Sequence, residues 1–398
     1  MNAGSDASVA DAAQWNGLRQ LEPALPASWY FDPAHHQREL ERLWYRNWVY
    51  VGRSDTLPEP LYYLTHQIGT QVVLVVRDQG GQVRAFHNTC RHRGAALCTE
   101  VAGRLPARAI TCRYHGWSYD LSGRLTRMPV HDRPRPEGLA GLGLYPVAVR
   151  DWHGFLFVNL ATPGSDSAAA VPTLESGFVA AADALAHWPL ATLKLGHSHT
   201  RTLHCNWKIF WENYHECLHC PGVHPRLSTL VPIYRRGIME ERDDPNWAQH
   251  RHSPDRSRHG GLRDGAVTWS MNGQACGPQF AALTAEERRV GYHYLTHTPS
   301  MYIAAHVDYV RVVRLRPLGP ETTEVLTQWL FPVATLAAPA FDLDNTVGFA
   351  AEVMSEDAEV CELVQQGQRA RAHQAGVLMP EEYDVFNFQR WVRTELAR

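Results

Sequence analysis

The chain has 398 residues, 44% hydrophobic and 20% charged, an ordinary globular composition with room for more than one domain. A net charge of -3 gives no electrostatic ground for a nucleic acid or an anionic membrane as partner. No apolar run approaches the roughly 20 residues of a membrane-spanning helix, so neither nucleic acid nor membrane enters the expected partners.

The first residues, Met1-Asn2-Ala3-Gly4-Ser5-Asp6, lack a basic stretch and an apolar core, and no signal peptide is expected. The following stretch, to about residue 20, is small and polar and reads as a mobile segment. His36 to Trp48 reads as an amphipathic helix with Leu40, Leu43 and Trp44 on one side. Short β runs follow at Gln71–Val76, Val83–His87, Ile110–Cys112 and Gly154–Leu160, punctuated by Asp78-Gln79-Gly80-Gly81 and Ser122-Gly123.

Inside this β region lie two mixed motifs, Cys90-Arg91-His92-Arg93-Gly94 and Cys112-Arg113-Tyr114-His115-Gly116-Trp117. Two thiolates and two imidazoles are the ligand set of a Rieske [2Fe–2S] centre, in which His replaces Cys on one iron. Structural zinc accepts the same set. A zinc finger groups its Cys together and its His together, however, whereas here each loop brings one of each. Two Gly-containing loops suit a cluster gripped between β-hairpin tips. Val101-Ala102-Gly103-Arg104 reads as an insertion between the two motifs.

Ala161 to Pro172 is a candidate linker. Beyond it, Trp207 to Leu218 reads as a helix, Tyr309–Leu315 and Glu324–Phe331 as half-buried strands, and Asn345–Gln366 and Glu381–Leu396 as helices. His250–His259 reads as a surface loop. The expected organisation is a segment and helix at 1–42, a β-rich domain at 43–162 and an α+β domain at 163–398, with the N-terminal helix docked on the last. Eight Cys do not form a disulfide framework. Two belong to the motifs above, and Cys98, Cys205, Cys217, Cys220, Cys276 and Cys361 have no framework spacing, so a reducing, cytoplasmic setting is expected.

The predicted helix after Asn206-Trp207-Lys208 runs into Glu212-Asn213-Tyr214-His215-Glu216-Cys217-Leu218-His219-Cys220-Pro221-Gly222-Val223-His224-Pro225. His215-Glu216-Cys217-Leu218-His219 has the spacing of a zinc-protease helix. The third His of the longer protease pattern would fall at 225, which is Pro. The competing selection is Glu216, His219 and His224. Glu216 and His219 are expected on one helix face, with Pro221-Gly222 ending the helix and turning His224 back beside His219. Two His and a carboxylate from elsewhere would make the facial triad of a non-haem Fe(II) oxygenase. Any single His of this set has a plain reading as core or surface.

With these motifs in view, the chain resembles the terminal oxygenase (α subunit) of the Rieske non-haem iron oxygenases from about Trp44 to its C-terminus. A third matching segment is Glu356-Asp357-Ala358-Glu359-Val360-Cys361-Glu362 with Gln365 and Gly367. The resemblance implies an α+β architecture: a β-rich Rieske domain plus a helix-grip catalytic domain, an antiparallel sheet with a long helix. It implies Cys90, His92, Cys112 and His115 on the cluster, and Asp357 as third ligand with His219 and His224 on a mononuclear Fe(II). Asn213 is implied to lie close to that iron. A homotrimer is implied, because cluster and iron within one chain are too far apart. Glu216 would then bridge a cluster His to an iron His across the subunit interface. Many members use Asp there; members acting on quaternary ammonium compounds use Glu. Glu216-Cys217-Leu218-His219-Cys220 is similar to that group's segment and departs from it at Leu218, where that group has Tyr.

The chain has no flavin or nicotinamide fingerprint of its own. Electrons from NAD(P)H are therefore expected through a separate flavin/iron–sulfur reductase, with O2 and a small molecule as substrates. The expected reaction is hydroxylation or oxidative demethylation of a quaternary ammonium or N-methyl compound. The other reading is ring hydroxylation of an aromatic acid. Trp269, Tyr292, Tyr294, Tyr302 and Trp329 are candidate walls for an ammonium, with Asp308 as its counter-charge. In the aromatic-acid reading, Arg311, Arg314 and Arg316 are the candidates for that acid's carboxylate.

Overall fold

The computed structural model describes residues 15–129, 141–161, 171–250 and 252–398. Most of the expected linker, 162–170, and the first 14 residues of the expected mobile segment lie outside them. Where that segment is described it is tied down: the Asn16 amide donates to the Arg242 carbonyl at 3.1 Å, and the Leu18 amide to the Pro380 carbonyl at 2.8 Å.

Two compact units divide the chain. One comprises Leu40–Val179 and His297–Met301; the other takes the segment ending at Glu39, Ala180–Thr296 and Tyr302–Arg398. These limits differ from the boundaries read at 42/43 and 162/163, and the short piece at His297–Met301 returns to the first unit from far along the sequence.

The strands are, in chain order, β1 Glu22–Pro26, β2 Val49–Arg53, β3 Tyr62–Ile68, β4 Gln71–Arg77, β5 Val83–His87, β6 Ala102–Arg104, β7 Ile110–Thr111, β8 Ser118–Tyr119, β9 Leu125–Arg127, β10 Pro146–Trp152 and β11 Phe155–Asn159. They continue with β12 Lys194–Leu203, β13 Tyr292–His297, β14 Met301–His306, β15 Val310–Gly319, β16 Thr322–Phe331 and β17 Ala375–Leu378.

In the first unit a seven-stranded sheet runs β2-β11-β10-β5-β4-β3-β6, and β7-β8-β9 form a small second sheet. Val73, Leu74, Val75 and Val76 on β4 are all fully buried, as an apolar run covered on both faces requires. Val101-Ala102-Gly103-Arg104, read as an insertion, carries a strand. Ala102–Arg104 is the edge strand, pairing Leu64 with Ala102, Tyr63 with Gly103 and Tyr62 with Arg104.

The second unit is built on the antiparallel sheet β12-β16-β15-β14-β13, with β1 paired to β17 beside it. Its helices include α1 Pro33–Glu39, α2 Trp207–Tyr214, α3 Leu343–Gln368 and α4 Tyr383–Ala397. α3 starts where the Asp342 carboxylate caps the Asn345 amide at 3.0 Å. It buries Thr346, Phe349, Ala350, Val353, Ala358, Cys361 and Gln365, a stripe at three- and four-residue spacing. Ala350 packs against Tyr309, Trp329 and Phe331 of the sheet, while Phe349 and Val353 pack with Trp269. This is the expected antiparallel sheet gripping a long helix.

The Asn206-Trp207-Lys208 motif is scaffold. The Asn206 side chain caps α2 through the Lys208 amide, and the Asn206 backbone amide donates to Gln365 on α3 at 2.8 Å. The Trp207 indole and the Lys208 ammonium both donate to Glu39 on α1, at 2.8 and 2.5 Å. A buried charge is tolerable only when paired and hydrogen-bonded, and these contacts dock α1 onto α2.

Candidate metal centres

The first centre lies in two loops with a shared backbone design. In one, the Gly94 amide donates to the Cys90 carbonyl at 2.9 Å and the Cys90 amide to the Ala95 carbonyl at 2.9 Å. In the other, the Gly116 amide donates to Cys112 at 3.0 Å and the Cys112 amide to Trp117 at 2.8 Å. Gly94 and Gly116 sit at φ of 71° and 69°, where a side chain would be strained, so both loops need glycine there. Only the second loop is a hairpin tip, joining β7 to β8. The first leaves β5 for β6, which pairs with β3.

Cys90 and Cys112 are buried, whereas His92 and His115 are exposed. The imidazoles bring their Nδ1 atoms to 3.1 Å. Two nitrogen ligands of one tetrahedral metal at about 2.1 Å would stand roughly 3.4 Å apart, so the pair suits a common iron. The Trp117 ring stacks on His92 at 4.8 Å. The Tyr119 hydroxyl, missed in the sequence, lies 3.3 Å from the Cys90 sulfur and accepts from the Arg91 amide at 3.0 Å.

The second centre joins α3 to the chain after α2. His219, His224 and Asp357 each offer one ligand atom, and the three atoms lie within 4.8 Å of one another. Asp357 Oδ1 is 2.9 Å from His224 Nε2 and 3.5 Å from His219 Nε2. His219 Nδ1 meets Glu216 at 2.5 Å, and His224 Nδ1 meets Glu356 at 2.6 Å. Each imidazole thus gives its far nitrogen to a carboxylate, which leaves Nε2 as the metal-facing lone pair. This donor set fits a divalent metal. Asn213 Nδ2 lies 3.4 Å from His219 Nε2.

The charges agree. Burial alone would raise the Asp357 carboxyl, but His219 and His224 hold it down at about 2. Burial opposes the His219 imidazolium, yet Asp357 and Glu216 raise it to about 9. His224 is raised also, against burial, by Asp357 and Glu356.

Three local expectations are corrected. α2 ends at Tyr214, so Glu216 and His219 share no helix face. The Glu216 carboxylate accepts from the Leu218 and His219 amides instead, and these bonds replace a continuing helix. Pro221-Gly222 does not end a helix but lies within a short one, Cys220–Val223. Cys217 and Cys220, expected as free thiols, form a disulfide across His219.

The protease reading fails on His215. Its ring stacks on Trp211 at 5.4 Å and packs on Phe388 at 5.5 Å, and burial pushes its pKa down to about 4. It is absent from the metal-binding group. Among the other acids, Glu352 pairs with Arg226 at 3.0 Å and Glu356 holds His224, so α3 presents Asp357 to both imidazoles.

Comparison with known proteins agrees with this layout. The model of the ring hydroxylating alpha subunit (catalytic domain) matches residues 190–398, and that of the Rieske [2Fe-2S] domain matches residues 47–148. The chain belongs to the ring-hydroxylating α-subunit family of Rieske oxygenases. It is 30% identical over 392 residues to the glycine betaine monooxygenase oxygenase subunit of Chromohalobacter salexigens, covering 94% of this chain and 86% of that protein. It is 27% identical over 375 residues to the chloroplastic choline monooxygenase of Beta vulgaris, covering 93% and 76%. Among solved structures, the quaternary ammonium Rieske monooxygenase CntA with L-carnitine superposes with a TM-score of 0.69 at 20% identity, covering 94% of this chain and 96% of that one. Naphthalene 1,2-dioxygenase from Rhodococcus sp. gives 0.66 at 20% identity, covering 94% and 95%. These two structural likenesses carry the fold. The oxygenase therefore has the two cofactors of its family, a [2Fe–2S] cluster and a mononuclear iron.

The aromatic residues near the second centre sort into roles. Tyr302 stacks on Tyr214 at 4.2 Å, and Tyr214 meets Tyr294 at 5.9 Å. Trp269 and Tyr292 back this group at 5.5 Å from each other. Trp329 faces the core with Tyr309 and Phe331. Asp308 is unavailable as a counter-charge, since Thr268 Oγ1 and the Cys276 amide occupy both its oxygens at 2.6 and 2.7 Å.

Proposed function

We propose that this oxygenase removes or hydroxylates a methyl group of a quaternary ammonium or N-methyl compound, using O2 and electrons that a separate flavin/iron–sulfur reductase takes from NAD(P)H. In that reading Cys90, His92, Cys112 and His115 hold the cluster, and His219, His224 and Asp357 hold the iron. When bound, the cluster supplies single electrons and the iron activates O2.

The observation that carries the substrate class is the tyrosine group of Tyr214, Tyr294 and Tyr302. Tyr302 connects it to the metal-binding helix, its hydroxyl reaching Met354 Sδ at 3.5 Å, one turn before Asp357. A cation against such faces gains about 0.5–2 kcal/mol per good contact when desolvated. The names of the relatives, glycine betaine and choline monooxygenases, support the same class.

Glu216 orients His219 and, in an assembled trimer, would reach a cluster histidine of a neighbouring subunit. Inter-subunit electron transfer is named for CntA. No helix among the described residues is long and apolar enough to cross a membrane.

The test is NADH oxidation with a heterologous reductase over betaines, N-methyl amines and aromatic acids. Betaines or N-methyl amines should stimulate it and yield formaldehyde where a methyl is lost. Stimulation by benzoate-like acids alone, with ring-hydroxylated products, would replace this reading by the aromatic one.

A further inference from the structure

Arg311 lies on β15, opposite Trp329 on β16, and is 3% exposed. Its neighbours in sequence are neutralised: Arg314 and Arg316 both pair with Glu324, at 3.3 and 2.6 Å. The other buried cations face carboxylates: Lys208 has Glu39, and Arg53 has Asp55 at 3.8 Å. Arg311 has no carboxylate partner among the described residues, and its buried Nε has no hydrogen-bond partner. The Tyr302 hydroxyl is the guanidinium's hydrogen-bond partner, and a guanidinium without a carboxylate is costly to bury. Arginine is also the side chain shaped for a planar carboxylate, through paired N–H donors.

Its surroundings place it at the tyrosine group. The guanidinium carbon is 5.8 Å from the Tyr302 ring, and Tyr294, Tyr309 and Tyr214 stand within its field. Further buried nitrogens without partners accompany it: both of His306 and the indole nitrogen of Trp269, whose rings are 5.5 Å apart. One flank of the group is therefore rich in unused donors, while the tyrosine faces suit a methylated cation.

We infer that Arg311 receives a carboxylate carried by the same substrate whose methylated nitrogen lies against Tyr302, Tyr214 and Tyr294, so that the oxygenase selects zwitterionic N-methylated amino acids over N-methylated alcohols. This rests on the N-methyl reading above. A substrate with a hydroxyl in place of the carboxylate would leave the buried guanidinium without a counter-charge.

The experiment is anaerobic calorimetry of the holoenzyme with trimethylglycine and with choline. The wild type should bind trimethylglycine at least about tenfold tighter, the scale of a hydrogen bond to a charged group. Arg311→Gln and Arg311→Met, with iron content and cluster spectrum retained, should shrink that ratio to within about threefold, since the neutral side chains no longer distinguish the two ligands. If neither variant folds, Arg311→Lys decides: it keeps the charge without the fork, and the ratio should fall while still favouring the acid. Equal affinities in the wild type, or an unchanged ratio in the variants, would overturn the role of Arg311 and leave the N-methyl reading standing. If neither compound binds the wild type, the N-methyl reading fails and this inference falls with it.

Discussion

At the scale of single residues, two carboxylates one position apart do different work. Asp357 faces both Nε2 atoms, whereas Glu356 takes the Nδ1 of His224. Asp357→Ala should abolish mononuclear iron and turnover while leaving the visible cluster spectrum intact. Glu356→Gln should keep the ligand set but weaken iron binding by about 10–100-fold, the usual cost of losing such support. Metal analysis after dialysis separates the two. His215 gives a pH signature instead. Its folded value of about 4 lies below the ordinary 6.5, so the unfolded chain binds the extra proton between those values. Stability from this site is complete above pH 6.5 and is lost as pH falls toward 4, by about 3 kcal/mol. His215→Phe should flatten that limb in denaturant titrations and retain iron. Loss of metal in this variant would show that His215 supports the metal site it does not touch.

At the scale of elements, what was legible in the sequence divides by range. The two Cys/His loops are local, and their glycines mark turns that a reader can place. Periodicity gives α3 and the strands β4, β5, β11, β15 and β16, but not β12, β13 or β14 of the sheet that holds β15 and β16. The end of α2 was hidden because Glu216 is a good helix former; only its bonds to the Leu218 and His219 amides show that the helix has stopped. Asp357 rested on family resemblance, since an acid-rich helix gives no internal reason to prefer one carboxylate. The lack of a carboxylate partner for Arg311 among the described residues is a long-range property that depends on where Glu324 lies. The docking of α1 on α2 can be tested through Glu39 and Lys208, both fully buried. Lys208→Met should cost about 3–5 kcal/mol by leaving Glu39 uncompensated. Combining it with Glu39→Gln should cost less than the sum of the single variants, which a double-mutant cycle by urea unfolding would measure.

At the scale of the whole molecule, the proposed function has electrons pass from the Rieske loops to the His219, His224 and Asp357 group. His92 and His115 present the exposed side of the first centre. Glu216 holds His219 in the second. If Glu216 also couples subunits, Glu216→Gln should retain both metals and the oligomeric state yet slow reoxidation of the reduced cluster in single turnover. An unchanged rate would confine Glu216 to holding His219.

The central claim, an oxygenase that works on a methylated nitrogen, is tested most directly by a single turnover without any reductase. Chemically reduced, iron-replete protein is mixed with O2 and trimethylglycine, and the products are quantified. The expected result is formaldehyde and dimethylglycine in equal amounts, with bleaching of the reduced-cluster signal in step. Cluster oxidation with neither product, from trimethylglycine or from any other N-methyl compound offered, would contradict it.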